Sequence, residues 1–164
     1  VVFIHISPSG DRMLTCGRFA ETGLWDVASS RLVASLDPRT SLCAFSPRGD
    51  IVATSRNRHG VLWNASTGAE ISRRELRYFQ LGLRFFPDGD RLLLRSTRAS
   101  VIWSLRGKSD IWLQQNDSAE VAAVSLGGES AVSLDGELLV TCEMGSATIW
   151  NALSGLAVRR LPAL

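Results

Sequence analysis

The sequence predicts an all-β protein built from four copies of one four-stranded antiparallel unit. A turn motif recurs with its glycine at positions 10, 49, 89 and 136, so the steps are 39, 40 and 47 residues. A tryptophan follows each glycine after 14 or 15 residues. Between them lie short, β-branched apolar runs without a helical period. The repeated residues are Gly10, Gly49, Gly89 and Gly136, followed by Trp25, Trp63, Trp103 and Trp150.

Each unit contains a tight turn that joins its first and second strands. In the second unit this turn is Ser46-Pro47-Arg48-Gly49-Asp50. Proline presets φ early in a turn and glycine accepts a positive φ, so the motif predicts a turn by a physical mechanism. The same argument assigns the cell-adhesion-like tripeptide Arg48-Gly49-Asp50 to the turn rather than to adhesion. The corresponding turns lie at 7–11, 86–90 and 133–137.

Four short strands are predicted in every unit. Asn57, His59 and Gly60 mark the turn between the second and third strands of unit two. The fourth strand is the most polar in units two and four, which suits an outer edge where charge prevents unwanted pairing. The predicted strands are 1–7, 12–17, 22–27 and 31–36; 41–45, 51–55, 61–64 and 69–72; 80–86, 91–96, 100–105 and 110–115; and 129–133, 138–142, 147–152 and 156–161.

The pattern resembles the WD40-repeat family, whose units are the four-stranded blades of a β-propeller. The residues that carry the resemblance are the four turns and Leu24-Trp25-Asp26, Leu62-Trp63-Asn64, Ile102-Trp103-Ser104 and Ile149-Trp150-Asn151. The resemblance implies a propeller segment over 1–164, with blades at about 1–38, 39–77, 78–127 and 128–164.

The units depart from the family where its buried hydrogen-bond network would lie. The Gly-His dipeptide before the first strand is absent, and so is the aspartate between the second and third strands. The four tryptophans and four turn glycines are therefore expected to act as structural anchors, chiefly by packing. Hydroxyl partners for the indoles are expected at Thr15, Thr54, Ser96 and Thr141.

The spacing also bears on ring size. The 47-residue step predicts an enlarged loop or an extra hairpin between Trp103 and Gly136. Both ends of the sequence fall on predicted blade boundaries, which favours four consecutive blades of a seven- or eight-bladed ring, with further blades in the same polypeptide. A self-closed four-bladed ring and a dimer of such arrays are the alternatives.

Composition excludes several classes of protein. The formal net charge is +2, which is too balanced to favour nucleic acid or an anionic membrane. Apolar runs are shorter than a membrane span requires, and no secretory signal is evident. Three cysteines are expected to be reduced core residues, because Cys16 and Cys142 hold equivalent places in different blades. A cytoplasmic location follows from that expectation.

The sequence offers few candidates for chemistry. His5 and His59 are the only histidines, and neither lies in a spacing typical of metal ligands. We therefore expect no catalytic residue, no metal and no cofactor. A basic rim is predicted instead, formed by turn arginines between second and third strands, where acidic or phosphorylated peptides could bind. These residues are Arg18, Arg56, Arg58 and Arg98, and solvated turn charge is the alternative.

These expectations favour a non-catalytic scaffold that binds partner proteins or peptides through its blade loops. One alternative is an enzyme that uses a propeller channel, as lactonases and quinone-dependent dehydrogenases do. A second is a regulatory or sensor segment attached to an effector domain.

Overall fold

A computed structural model describes residues 3–17, 21–38, 40, 42–76, 80–96, 100–107, 109–113, 130–143 and 146–162. Within these ranges the secondary structure is entirely strands and turns, which confirms the all-β prediction. The strands are β1 (Phe3–Ile6), β2 (Arg12–Cys16), β3 (Gly23–Asp26), β4 (Arg31–Ser35), β5 (Leu42–Phe45), β6 (Ile51–Arg56), β7 (His59–Asn64), β8 (Glu70–Glu75), β9 (Gln80–Phe85), β10 (Arg91–Ser96), β11 (Ser100–Ser104), β12 (Ile111–Leu113), β13 (Ser130–Val132), β14 (Leu138–Glu143), β15 (Ser146–Asn151) and β16 (Ala157–Leu161).

The strands form four antiparallel sheets, each following chain order: β1 to β4, β5 to β8, β9 to β12 and β13 to β16. We call these sheets blades 1 to 4. The fourth strand lies at the edge of its blade, as its polarity predicted, and β8 and β16 are mostly exposed. The predicted turn at 57–60 is corrected in part, since His59 and Gly60 already belong to β7. The predicted enlarged loop falls largely on 114–129, outside the described residues.

The turn between the first and second strands has the same structure in every blade. Gly49 has φ of 76° and its N–H donates to the Ser46 carbonyl at 2.9 Å. The Ser46 hydroxyl accepts from the Ile51 N–H at 3.1 Å and donates to the Asp50 carboxylate at 2.8 Å. The motif therefore satisfies its own polar groups. In blade 3, where Phe86 replaces serine, Asp88 accepts the N–H groups of Asp90 and Arg91 instead.

The hydrophobic core lies between consecutive blades rather than within them. Three clusters are formed by the facing surfaces of blades 1 and 2, 2 and 3, and 3 and 4. Trp63, Trp103 and Trp150 each pack against the preceding blade, and each is at least nine-tenths buried. Each blade consequently gains most of its apolar burial from its neighbours, as in other repeat proteins.

Hydrogen bonds fix the indoles in three blades. The indole N–H groups of Trp25, Trp63 and Trp150 donate to the hydroxyl oxygens of the threonines at 15, 54 and 141, over 3.0, 2.8 and 2.9 Å. The threonine contacts expected from the sequence are thus present. In blade 3 the strand register assigns this position to Leu94, two residues after the partner of Trp103, and not to Ser96.

Arginines add polar contacts between blades. Arg48 of blade 2 donates to the Asp88 carbonyl at 2.6 Å, and Arg91 of blade 3 donates to the Gly136 carbonyl at 2.8 Å. Arg74 on edge strand β8 pairs with Asp110 and lies over the Trp103 ring, 4.8 Å from its centroid. These arginines therefore join neighbouring blades, and Arg74 does so from an edge strand.

The expectation of three reduced core cysteines is wrong. Cys16 on β2 and Cys43 on β5 form a disulfide across the interface of blades 1 and 2, with Cα atoms 6.5 Å apart. Cys43 lies on an innermost strand that faces the preceding blade, so comparison of equivalent positions did not reveal the pair. Cys142 is free but exposed. The disulfide removes the reduced-thiol argument for a cytoplasmic location.

The outward faces of blades 1 and 4 lack a facing blade among the described residues. On blade 1, Ile4 and Ile6 pair with Thr15 and Met13 on the face opposite the core. Both isoleucines are 63% exposed. On blade 4, Val140 pairs with Ile149 on the face directed away from blade 3. The described array is therefore open at both ends.

No helix in the described part of the chain is long and apolar enough to span a membrane.

Candidate functional site

Of the four arginines predicted to form a basic rim, the structure describes the two in blade 2. They lie at the two-residue turn that joins β6 to β7. Asn57 holds a positive φ of 52° in this turn, a conformation that asparagine tolerates better than most residues. Arg56 and His59 are the last paired residues before the turn, and Arg58 is exposed at its tip. Arg18 and Arg98 lie outside the described residues.

The turn is held against the segment that leads to blade 3. The Leu76 N–H donates to the Arg58 carbonyl at 2.6 Å, and the Arg58 Nε donates to the Leu76 carbonyl at 3.2 Å. This exchange orders the Arg58 stem, so its guanidinium is presented from a fixed backbone. The turn and the entry to the next blade thus share one end of the array of sheets, the arrangement expected of a loop-built binding face.

A further arginine lies at the corresponding end of blade 3. Arg95 is the penultimate residue of β10, as Ser55 is of β6. Its Nε and Nη1 atoms are buried and have no hydrogen-bond partner among the described residues. Buried donors without partners are costly, so an acceptor that reached these two nitrogens would be bound favourably. Sequence analysis missed Arg95 because an arginine in an apolar strand has no distinguishing pattern.

A second cluster lies at the interface of blades 1 and 2. The imidazole nitrogen of His5 and the sulfurs of Cys16 and Cys43 all lie within 4.8 Å of one another. His5 and Cys16 occupy the same face of blade 1, because Phe3 pairs with Cys16 and His5 is two residues further along β1. Cys43 approaches from β5 of blade 2. We call this the His5 cluster.

The environments of its members differ. Cys16 and Cys43 are buried, with exposures of 0% and 6%, whereas His5 is partly exposed on the innermost strand of blade 1. Burial lowers the pKa of the His5 imidazole, which favours the neutral, ligand-competent form. Spacing along the chain gave no sign of this cluster, because its three residues come from three strands of two blades.

Comparison with known proteins identifies the fold but not a family. No protein-family model matches the chain, and no curated protein matches it. Among solved structures, hydrazine synthase of Kuenenia stuttgartiensis, a protein that contains a β-propeller, superposes with a TM-score of 0.76 over 96% of this chain. The chain has a β-propeller fold.

That likeness is structural only. The sequence identity with hydrazine synthase is 16%, and the propeller chain described here spans 47% of that chain's length. In all, 1136 chains of solved structure match, so the propeller fold is common and does not by itself select a function.

Proposed function

We propose that this propeller is a WD40-type scaffold without catalytic activity, which binds acidic or phosphorylated peptide segments of partner proteins at its basic rim. The observation that carries the proposal is the arginine-bearing end of blades 2 and 3. There Arg58 is fixed by Leu76, and Arg95 holds buried donors without described partners. Carboxylates and phosphates are the acceptors that match such guanidinium groups.

Rigidity of the framework supports this role. Each turn between a first and a second strand satisfies its own polar groups, and Trp63, Trp103 and Trp150 each anchor their blade to the preceding one. A peptide that binds at the rim therefore meets side chains held on a preorganised scaffold, which lowers the entropic cost of binding. The WD40 assignment itself is supported by the Trp–Thr contacts and the repeated turn.

We further propose that additional blades cover the two outward faces. The face of blade 1 that carries Ile6 corresponds to the face of blade 2 that carries Phe45, and Phe45 packs against blade 1. An apolar surface that is covered in every internal blade is expected to be covered at the ends as well. The length of the hydrazine synthase chain leaves room for such blades in that protein.

The rim is tested with short peptides rich in Asp, Glu or phosphoserine, measured by fluorescence anisotropy against the same sequences with Gln and Ser. Acidic and phosphorylated peptides are expected to bind more tightly than the neutral ones. Added salt should lower the affinity of the charged peptides. Charge reversal in Arg56→Glu/Arg58→Glu should weaken binding by at least about tenfold, since one charge-assisted hydrogen bond contributes about 1.5–3 kcal/mol.

The matched control reverses two arginines elsewhere. Arg159→Glu/Arg160→Glu changes net charge equally on the exposed edge strand β16, and its peptide affinity should stay close to that of the parent chain. Urea unfolding of both variants establishes that the blades remain folded. Equal loss of affinity in the two double variants, or binding of neutral peptides as tight as that of acidic ones, would remove the rim from the proposal.

A further inference from the structure

We propose that the His5 cluster is a redox-gated zinc site. In the reduced protein the thiolates of Cys16 and Cys43 and the imidazole of His5 bind one Zn²⁺, and formation of the Cys16–Cys43 disulfide releases it. The proposal does not depend on peptide binding at the basic rim. It assigns a cofactor to three residues that the blade architecture brings together.

The donor set selects the metal. Two sulfurs and one imidazole nitrogen suit zinc, whereas calcium and magnesium require oxygen ligands. Zinc bonds of about 2.3 Å to sulfur and about 2.0–2.1 Å to nitrogen place tetrahedral ligands about 3.5–3.8 Å apart. The His5 nitrogen already lies within 4.8 Å of both sulfurs. Once reduction breaks the Cys16–Cys43 bond, the sulfurs have only to move apart to the tetrahedral separation, which needs modest side-chain movement.

Charge balance explains how such a site is tolerated at a buried interface. Two thiolates and a neutral imidazole around Zn²⁺ form a complex with no net charge, and buried charges are stable when they coordinate a metal. Both sulfurs are at least nine-tenths buried. His5 lies on the partly exposed side, which gives the ion a route of entry and leaves a fourth position for water.

The redox step is balanced by a small-molecule disulfide such as glutathione disulfide. Two zinc–sulfur bonds break, and the sulfurs of Cys16 and Cys43 form one bond to each other. The two electrons they give up reduce the small disulfide, whose own sulfur–sulfur bond breaks to yield two thiolates. The bond between Zn²⁺ and the His5 nitrogen also breaks, and the ion is released. The Cys16–Cys43 disulfide of the structure is the oxidised product of this exchange.

The test uses the full chain carrying Cys142→Ser, which removes the exposed free thiol. The reduced, metal-free protein is titrated with Co²⁺ and then with Zn²⁺, followed by absorption spectroscopy. One equivalent of Co²⁺ should produce thiolate charge-transfer and tetrahedral ligand-field bands, and one equivalent of Zn²⁺ should abolish them. Glutathione disulfide added to the zinc form should release one equivalent of Zn²⁺ to a fluorescent indicator.

Matched variants assign the ligands. His5→Ala should weaken Zn²⁺ binding by at least about tenfold, whereas His59→Ala, which removes the other histidine, should leave binding unchanged. Cys16→Ser should abolish the cobalt bands. Since loss of a buried cysteine can also unfold the chain, the histidine pair keeps both sulfurs intact and supplies the decisive comparison.

Three results would overturn the proposal: no stoichiometric Zn²⁺ in the reduced chain, equal affinity in His5→Ala and the parent, or undiminished binding in the disulfide form.

Discussion

At the scale of single residues, the buried indoles depend on one hydroxyl each. Trp63 donates to Thr54 at 2.8 Å at a site shielded from water, and the same contact between Trp25 and Thr15 is only partly buried. The chemistry of the two pairs is identical, but their solvent exposure differs. Comparing them therefore separates the hydrogen bond itself from the cost of leaving a donor without water.

We predict that Thr54→Val lowers the free energy of unfolding by about 1–3 kcal/mol, because valine keeps the shape of threonine and leaves the Trp63 N–H buried without an acceptor. Thr15→Val should cost less than about 1 kcal/mol, since the Trp25–Thr15 contact is only partly buried. Urea denaturation followed by tryptophan fluorescence measures both. Equal losses in the two variants would show that desolvation of the donor is not the deciding factor.

What could be predicted from the sequence at this scale was local. The positive φ of Gly49 and the Trp–Thr contacts follow from residues within one unit, so the repeat revealed them. The partner in blade 3 was misassigned to Ser96, because the register that places Leu94 there depends on strand pairing. The Cys16–Cys43 disulfide and the Arg91–Gly136 contact join different blades, and a pattern within one unit carries no information on such pairs.

At the scale of elements, the residue that follows each tryptophan caps the turn between the third and fourth strands in three blades. Asp26 accepts from the Ser29 N–H at 2.8 Å, and Asn64 accepts from the Thr67 N–H at 3.0 Å. Asn151 accepts from the Ser154 N–H at 2.8 Å. This shared role explains why aspartate and asparagine alternate at the position, since either side chain supplies the acceptor oxygen.

Only the aspartate makes the turn sensitive to pH. Hydrogen bonds from the Ser29 hydroxyl and N–H lower the pKa of Asp26, with a smaller contribution from Arg12. A folded-state pKa below the unfolded value means that the carboxylate adds stability above about pH 4, and this stability is lost as pH falls through the folded-state pKa. The pKa values of Asp11 and Asp135 are lowered in the same way by serines of their own turns.

We predict that the chain loses stability as pH falls below about 4, and that Asp26→Asn loses less over the same range. Asparagine keeps the cap, as Asn64 and Asn151 do, but does not titrate. Urea denaturation at pH 6 and at pH 3 gives the loss in the free energy of unfolding for the parent and for Asp26→Asn. A loss in Asp26→Asn as large as in the parent would mean that this carboxylate does not contribute to the acid sensitivity.

At the scale of the whole molecule, stability resides in the interfaces between blades. The three core clusters each combine two blades, and the disulfide and the arginine contacts reinforce the same interfaces. The sequence predicted the sheets well because strand periodicity is local. It did not reveal the His5 cluster or the Arg95 donors, which have no partner among the described residues, because both arise only when neighbouring blades or strands are packed.

Equivalent residues on an open and a covered face provide a test of this view. Ile6 and Phe45 both lie four residues before the turn glycine of their units. Ile6 is 63% exposed on the open face of blade 1, whereas Phe45 packs between blades 1 and 2. We predict that Ile6→Lys changes the free energy of unfolding by less than about 0.5 kcal/mol, while Phe45→Lys costs more than about 2 kcal/mol.

The same pair of variants reports on how the open faces are covered. Apolar faces left open by a repeat array promote association, so the 164-residue chain should self-associate at high concentration in sedimentation velocity. Ile6→Lys should reduce that association because it places a charge on the open face. If Ile6→Lys instead destabilises the monomeric chain as much as Phe45→Lys does, the face of blade 1 is already covered within this chain, and the array is a closed ring.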